Sequence, residues 1–160
     1  MRKVLVSQDD GKKKPEQQGD WLDIEKIATA EISSEDPGFP IDDALTGTGT
    51  AGWRAAGPGP QKIRLLFDKP QSLRRIQLHF VDRESERSQE FALLALVGDE
   101  LREVARQQWN FSPNGSPEEL EDYKVELNGV NALELRIDPD RSHDPKQSQH
   151  VASLQRLRIA

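Results

Sequence analysis

The sequence predicts an all-β protein that folds as an antiparallel β-sandwich, or jelly roll. Apolar and polar side chains alternate along most of the chain, as they do in strands whose successive side chains point to opposite faces of a sheet. Clusters of Gly, Pro, Asn and Asp separate these runs, which is typical of turns between short strands. The length of 160 residues suits one domain with a substantial core.

Five segments carry the alternation most clearly. Their apolar positions, in chain order, are Ile63, Leu65 and Phe67; Ile76, Leu78 and Phe80; Phe91, Leu93, Ala95 and Val97; Tyr123, Val125 and Leu127; Leu133, Leu135 and Ile137. The closing LQRLRIA predicts one more strand. The segment DELREVARQQ has a helical alternative, but its alternation of Val104, Arg106 and Gln108 favours a strand leading to Trp109. Turns are expected at residues 68–70, 98–99, 114–115, 128–129 and 138–139.

Residues 1–19 are predicted to be a flexible segment, and residues 20–160 the sandwich domain. The first residues contain only the short apolar run from Val4 to Val6. A signal peptide needs an apolar stretch of about 7–15 residues and a membrane helix about 20. Since the sequence has neither, it predicts no membrane span and a cytoplasmic location.

Composition and charge exclude several functional classes. The chain has no cysteine, which excludes disulfides and thiolate metal sites and fits a reducing compartment. Its 28 acidic and 22 basic residues give a net charge of -6. A general binder of the nucleic-acid backbone would carry a basic surface, so no nucleic-acid partner is predicted. The oligomeric state has no signal in the sequence.

Four consecutive segments carry a resemblance to a known family: DWLDIEKIATAEISSE, DDALTGTGTAGW, PQKIRLLFDKPQSLRRIQLHF and QEFALLAL. Their order resembles that of the coagulation-factor type C, or discoidin, family, whose domains share the galactose-binding-like β-sandwich. The resemblance spans about residues 20–160. Members are mostly non-catalytic modules that bind glycans, phospholipid headgroups or proteins, which implies a binding role here. The paired cysteines of animal members are missing, which suits a bacterial or intracellular version.

The resemblance also raises the question of calcium. Members that contain Ca²⁺ often hold it in an Ala-Leu-Asp-Gly loop, with another acidic residue from the last strand. Here Thr46 replaces that Asp, and the last strand offers Gln155. Asp42 and Asp43, with the hydroxyls of Thr48 and Thr50, could supply some of the six to eight oxygens that Ca²⁺ needs. A turn whose Asp side chains bond their own backbone is the favoured alternative, so no metal or cofactor is predicted.

The family's ligand end consists of loops after the early strands. On this sequence these loops are EDPGFPIDD, WRAAGPGP and DRESERSQ. The ligand-binding candidates that they imply are Phe39, Trp53, Arg54, Arg83, Glu84 and Arg87. An aromatic ring offers a flat apolar face to a sugar, while arginine and carboxylate groups bind hydroxyls directionally. The polar segment DPDRSHDPKQSQH adds Arg141 and His143 as contact candidates, of which His143 joins the predicted site.

Each of these candidates also has a structural interpretation. Trp53 precedes a strand, where this fold commonly has a core residue, and a structural role is equally open for Phe39. DRESERS is charged enough to be an ordinary solvated loop. Trp109 and Phe111 share one strand face and should pack in the core or cover an end of the sandwich. After them, SPNG predicts a turn, and SPEE resembles the start of a helix with an N-cap.

No constellation of catalytic residues stands out. The three histidines, His79, His143 and His150, fall in different segments without metal-ligand spacing. The chain has no Gly-x-Ser-x-Gly motif, and GTGTAG lacks the lysine of a phosphate loop. The sequence therefore predicts a non-catalytic module that recognises a carbohydrate or related polar ligand. The alternative is an intracellular protein-interaction or assembly module on the same fold.

Overall fold

A computed structural model describes residues 21–46, 51–142 and 149–160. These ranges contain two short helices, α1 (Ile24–Ile27) and α2 (Ile41–Leu45). The strands are β1 (Ala28–Ile32), β2 (Trp53–Pro58), β3 (Gln61–Val81), β4 (Arg87–Val97), β5 (Glu100–Phe111), β6 (Glu118–Asp138), β7 (Val151–Leu154) and β8 (Arg156–Ile159). The all-β prediction is confirmed, including β5, for which a helix was the alternative. No helix in the described ranges is long and apolar enough to cross a membrane.

Two long strands, β3 and β6, organise the sandwich. The first part of β3 pairs with β1 and with the last part of β6, which also pairs with β4. The second part of β3 pairs with the first part of β6 and with β8. β5 extends the first group through β4, and β2 pairs separately with β7. Both long strands therefore contribute to both layers, and every pairing between strands is antiparallel.

The predicted turns at residues 68–70 and 128–129 are wrong, because the chain remains in β3 and β6 there. The register instead becomes irregular between Leu66 and Arg75. Gly129, opposite this region, has a φ of 68°. A bulge bends a strand and increases its twist, so turn-favouring residues also suit the place where a strand passes from one layer to the other. Proline and glycine here mark a bend within each strand.

The core lies between the layers and follows the predicted alternation. Ile63, Leu65 and Ile76 are among its fully buried side chains. The rings of Phe80, on β3, and Phe91, on β4, stack with their centroids 5.3 Å apart. Phe80 belongs to the part of β3 that pairs with the first part of β6 and with β8, whereas Phe91 pairs with the last part of β6, so this contact joins the two layers directly.

The connection between β5 and β6 is a tight turn, as SPNG predicts. The amides of Gly115 and Ser116 both donate to the carbonyl oxygen of Ser112, at 3.1 and 2.9 Å. The predicted helix start at SPEE is wrong, because Glu118 begins β6 and pairs with Val81 of β3. Pairing with a neighbouring strand outweighs the local capping signal here.

Gly52 provides a test of the packing between β2 and β7. Its φ is 75°, and a Cβ atom on it would lie 2.7 Å from the carbonyl oxygen of Leu154. We expect Gly52→Ala to lower the free energy of unfolding by at least about 1–2 kcal/mol, the cost of a left-handed backbone alone. Gly57→Ala is the matched control, because an added Cβ there would meet nothing within 4 Å. Equal denaturation midpoints for the two variants would contradict this packing.

Candidate ligand-binding cleft

A cleft of about 370 Å³ opens at one end of the sandwich. Its walls come from the start of β2, from the β3–β4 connection at residues 82–86, and from residues 149–155. Five of the seven predicted ligand-binding residues line it: Trp53, Arg54, Arg83, Glu84 and Arg87. The structure therefore brings together two of the loops that the resemblance implied. His143 lies outside the described residues.

Phe39, the sixth candidate, lies beside the cleft on the third loop. Backbone hydrogen bonds hold this loop to β2: the amide of Asp36 donates to the carbonyl of Arg54 at 2.8 Å, and the amide of Arg54 donates to the carbonyl of Phe39 at 3.2 Å. The guanidinium of Arg54 lies 4.3 Å from the centroid of the Phe39 ring. This ring face therefore supports Arg54 instead of being open to a sugar.

Arg54 has the most available guanidinium at the cleft. The residue is exposed, and within the described ranges no acidic side chain forms an ion pair with it. Stacking on Phe39 restricts its motion without using its N–H groups. Arg54 can therefore offer several fixed donors to a ligand.

Trp53 lies beneath the cleft and is only 1% exposed. Its Nε1–H donates to the carbonyl oxygen of Ser34 at 3.1 Å. The hydroxyl oxygen of Ser34 in turn accepts from the amide of Ala56 at 3.0 Å. This burial favours the core interpretation of Trp53, because its ring has no free face to offer a ligand. The tryptophan holds the end of β1 to β2.

Arg87 is buried in the cleft wall, with 6% exposure. Its Nε donates to Asp82 at 2.7 Å, and its Nη1 donates to the side-chain oxygen of Gln89 at 3.0 Å and to the carbonyl of Pro139 at 2.9 Å. The guanidinium also lies 4.5 Å from the centroid of the Phe111 ring. With these contacts, Arg87 is a positioning residue that joins three segments of the chain.

Asp82 organises the loop that Arg87 anchors. Its other carboxylate oxygen accepts from the amides of Glu84 and Ser85, each at 2.9 Å. Burial acts to raise the pKa of Asp82, but the hydrogen bonds from Arg87 and these amides outweigh it and hold the pKa below its usual 3.8. The carboxylate therefore stays ionised, and the loop keeps its shape at neutral pH.

The exposed side of this loop carries a second polar cluster. Arg83, whose side chain is 62% exposed, donates to Glu118 at 2.8 Å. The other oxygen of Glu118 lies 2.9 Å from Nε2 of His79. Hydrogen bonds with His79 and then Arg83 lower the pKa of Glu118. The carboxylate of Glu84 forms no hydrogen bond with Arg83, Glu118 or His79. It is exposed and can accept hydrogen bonds from a ligand.

His150 lines the cleft, although sequence reasoning did not select it. Its Nε2 lies 4.0 Å from Oδ2 of the buried Asp140. The candidate from the same segment, Arg141, lies instead 3.8 Å from Glu90, away from the cleft. The position of His150 depends on β7 pairing with β2, a contact between distant segments. The only local signal was the alternation in VASL.

Behind Arg87, buried polar groups continue between the layers. The side-chain amide of Gln89 donates to Glu119 at 3.5 Å, and Glu119 is fully buried. Burial first, and then the hydrogen bond and charge of Glu121, raise the pKa of Glu119 to about 9. The raised pKa favours the uncharged form of Glu119 at neutral pH, and its Oε2 has no hydrogen-bond partner among the described residues.

The alternative calcium site receives no support from the described ranges, where no group of three or more His, Asp or Glu side chains is placed to hold a metal. Asp42 and Asp43 belong to α2. Thr48 and Thr50, the other suggested oxygen donors, lie outside the described residues.

Solved structures of carbohydrate-binding modules (CBMs) resemble this chain. The family 32 CBM of Clostridium perfringens NanJ, in complex with galactose, has a TM-score of 0.59 and 16% identity over 87% of this chain and 96% of its own. CpGH89CBM32-5 from the same organism, in complex with GalNAc-β-1,3-galactose, has a TM-score of 0.60 and 16% identity over 87% and 98%.

A third module is the CBM32 of AlyQ in complex with 4,5-unsaturated mannuronic acid. Its TM-score is 0.59, with 18% identity over 84% of this chain and 95% of its own. No protein-family model matches the chain, and no curated protein matches it. The structural similarities confirm the predicted galactose-binding-like β-sandwich.

Replacing Arg87 tests its role in the cleft wall. We expect Arg87→Ala to lower the free energy of unfolding by about 3–5 kcal/mol, because it leaves Asp82 as an unpaired, largely buried charge. Arg83→Ala removes an exposed ion pair and should cost only about 0–1 kcal/mol. Urea denaturation measures both values. Similar losses for the two variants would refute the anchoring role of Arg87.

Replacing Glu119 tests its protonation. A carboxyl group whose pKa is raised on folding contributes stability that is fully present below its unfolded pKa, 4.5, and is lost as the pH rises through about 9. Glu119→Gln keeps a donor and cannot ionise. The free energy of unfolding of the unsubstituted protein, minus that of the variant, should therefore fall between these pH values. A constant difference would show that Glu119 is not protonated in the folded state.

Proposed function

We propose that this chain is a non-catalytic carbohydrate-binding module of the discoidin type, which holds a sugar in the end cleft. The observation that carries the proposal is the exposed guanidinium of Arg54 at the cleft, which is fixed on Phe39 and forms no ion pair with any described residue. A ligand with several hydroxyl groups matches such fixed donors, since hydrogen bonds that involve a charged group are stronger than neutral ones.

The other lining groups fit the same ligand class. Arg83 and His150 add donors, and the carboxylate of Glu84 adds an acceptor. The volume of about 370 Å³ falls at the small end of the range for small-molecule sites, roughly 300–1,000 Å³. One or two sugar units suit this space. Galactose, N-acetylgalactosamine and a uronic acid are the ligands in the similar modules, so they are the first compounds to test.

Binding is tested with a glycan array, followed by calorimetry with galactose, N-acetylgalactosamine and galacturonate. Arg54→Ala should weaken binding at least about tenfold, because a charge-assisted hydrogen bond is lost. Phe39→Leu should weaken it about two- to fivefold, because the guanidinium loses its aromatic support. Arg102→Ala, which removes an exposed arginine on β5 paired with Glu100, serves as the control.

Two results would overturn the proposal. The first is a folded protein that binds no glycan while it captures a protein, which would favour an interaction module. The second is glycan binding that Arg54→Ala leaves unchanged, which would show that the glycan binds outside the cleft.

A further inference from the structure

A second groove, of about 480 Å³, carries a concentration of positive charge. Its lining includes Trp21, Arg74, Arg75 and Lys124, with Glu126 as its acidic member. Arg158 of β8 approaches the same tryptophan, with its guanidinium 5.6 Å from the ring centroid. We call Trp21, Arg74, Arg75, Lys124 and Arg158 the basic face.

Strand pairing places these side chains on one surface. Arg75 pairs with Lys124 across β3 and β6, and Gln77 pairs with Arg158 across β3 and β8. The alternate residues Ile76 and Ile159 are fully buried. Because successive side chains of a strand point to opposite faces, Arg75, Lys124 and Arg158 lie on the outer surface of this layer.

Most of the positive charge on the basic face has no acidic partner. Arg75 is paired, since it donates to both oxygens of Asp122. Among the described residues, Arg74 donates only to neutral groups, which include the carbonyl of Leu127 at 3.2 Å and the side-chain oxygen of Asn128 at 3.0 Å. Within the described ranges, neither Lys124 nor Arg158 forms an ion pair. Three positive charges are therefore left without an ion-pair contact within the described residues, and their acidic neighbours are Glu126 and Asp122, whose pKa the charge of Lys124 helps to lower.

Arg158 is partly buried and lies near a second arginine, Arg156, which adds to the positive charge of this surface. Burial, followed by the charge of Arg156, lowers the pKa of Arg158. A nearby anion would relieve that repulsion. Trp21 keeps the guanidinium groups of Arg75 and Arg158 in place, at 4.8 and 5.6 Å from its ring centroid, and so limits the entropy lost when they bind.

We propose that the basic face binds an acidic polysaccharide, whose carboxylate or sulfate groups pair with Arg74, Lys124 and Arg158. The charges are spread over three strands instead of converging on one point, which matches an extended polyanion better than a single small anion. Nucleic acid is disfavoured because the whole chain has a net charge of -6.

This second site is independent of the end cleft. Native electrophoresis through gels that contain polygalacturonate, dextran sulfate or neutral dextran measures the binding. We expect retention by one or both acidic polymers and none by dextran. The polymer that retains the protein identifies the anionic group. Raising the ionic strength to 0.5 M should abolish retention, because it screens exposed charges.

Charge-matched variants locate the site. Each basic side chain at an extended anionic surface contributes about fivefold in affinity, so Lys124→Gln with Arg158→Gln should weaken binding about 25-fold. Lys62→Gln with Arg102→Gln makes the same change in net charge on the other layer and should have little effect. Dextran sulfate contains no uronate that the end cleft could hold, so Arg54→Ala should leave retention by dextran sulfate unchanged, and the failure of one site can be distinguished from failure of the other.

Three results would overturn the inference. They are no retention by either acidic polymer at low salt, equal losses for the two double variants, and binding of a single-stranded oligonucleotide as tight as that of the acidic polymers. The last result would identify a nonspecific polyanion surface or a nucleic-acid site.

Discussion

A guanidinium withdrawn from water must have partners for both its charge and its N–H groups, and the cleft end of this sandwich is arranged around one such group, Arg87. Its partners come from the β3–β4 connection, from β4 itself and from the chain just after β6. The Phe111 ring adds a contact from the end of β5. If Arg87 were displaced, the largely buried carboxylate of Asp82 would lose its positive partner. The free-energy cost of that unpaired charge keeps Arg87 and the β3–β4 connection in place.

The cleft shows a division between residues that build a surface and residues that face a ligand. Trp53 and Arg87 are buried and hold the loops, whereas Arg54, Arg83 and Glu84 are exposed. Phe39 belongs in part to both groups, because it supports an exposed side chain. A carbohydrate site needs this combination: weak individual bonds to hydroxyls become useful only when the donors lose little freedom on binding.

The fold was largely predictable because alternation reports directly on which side chains face a core. The errors at residues 68–70 and 128–129 have a physical origin, since the same Gly, Pro and Asn residues suit a turn and a bulge. Which of the two forms depends on partners elsewhere in the chain. The resemblance placed Arg54, Arg83 and Glu84 at the cleft, but it did not reveal that Arg54 covers Phe39. His150 was missed because its position depends on pairing between β2 and β7.

The passage of β3 and β6 through both layers has a consequence for how the protein loses its structure. In a sandwich whose strands each belong to one sheet, one sheet can loosen while the other keeps its ladder. Here, freeing either layer would release half of two strands whose other halves are paired in the second layer. The two layers therefore cannot unfold separately, and we expect the domain to unfold in a single cooperative transition. The cleft is lined by the connection that leaves the end of β3, and the basic face lies on β3 and β6, so the two would be lost together.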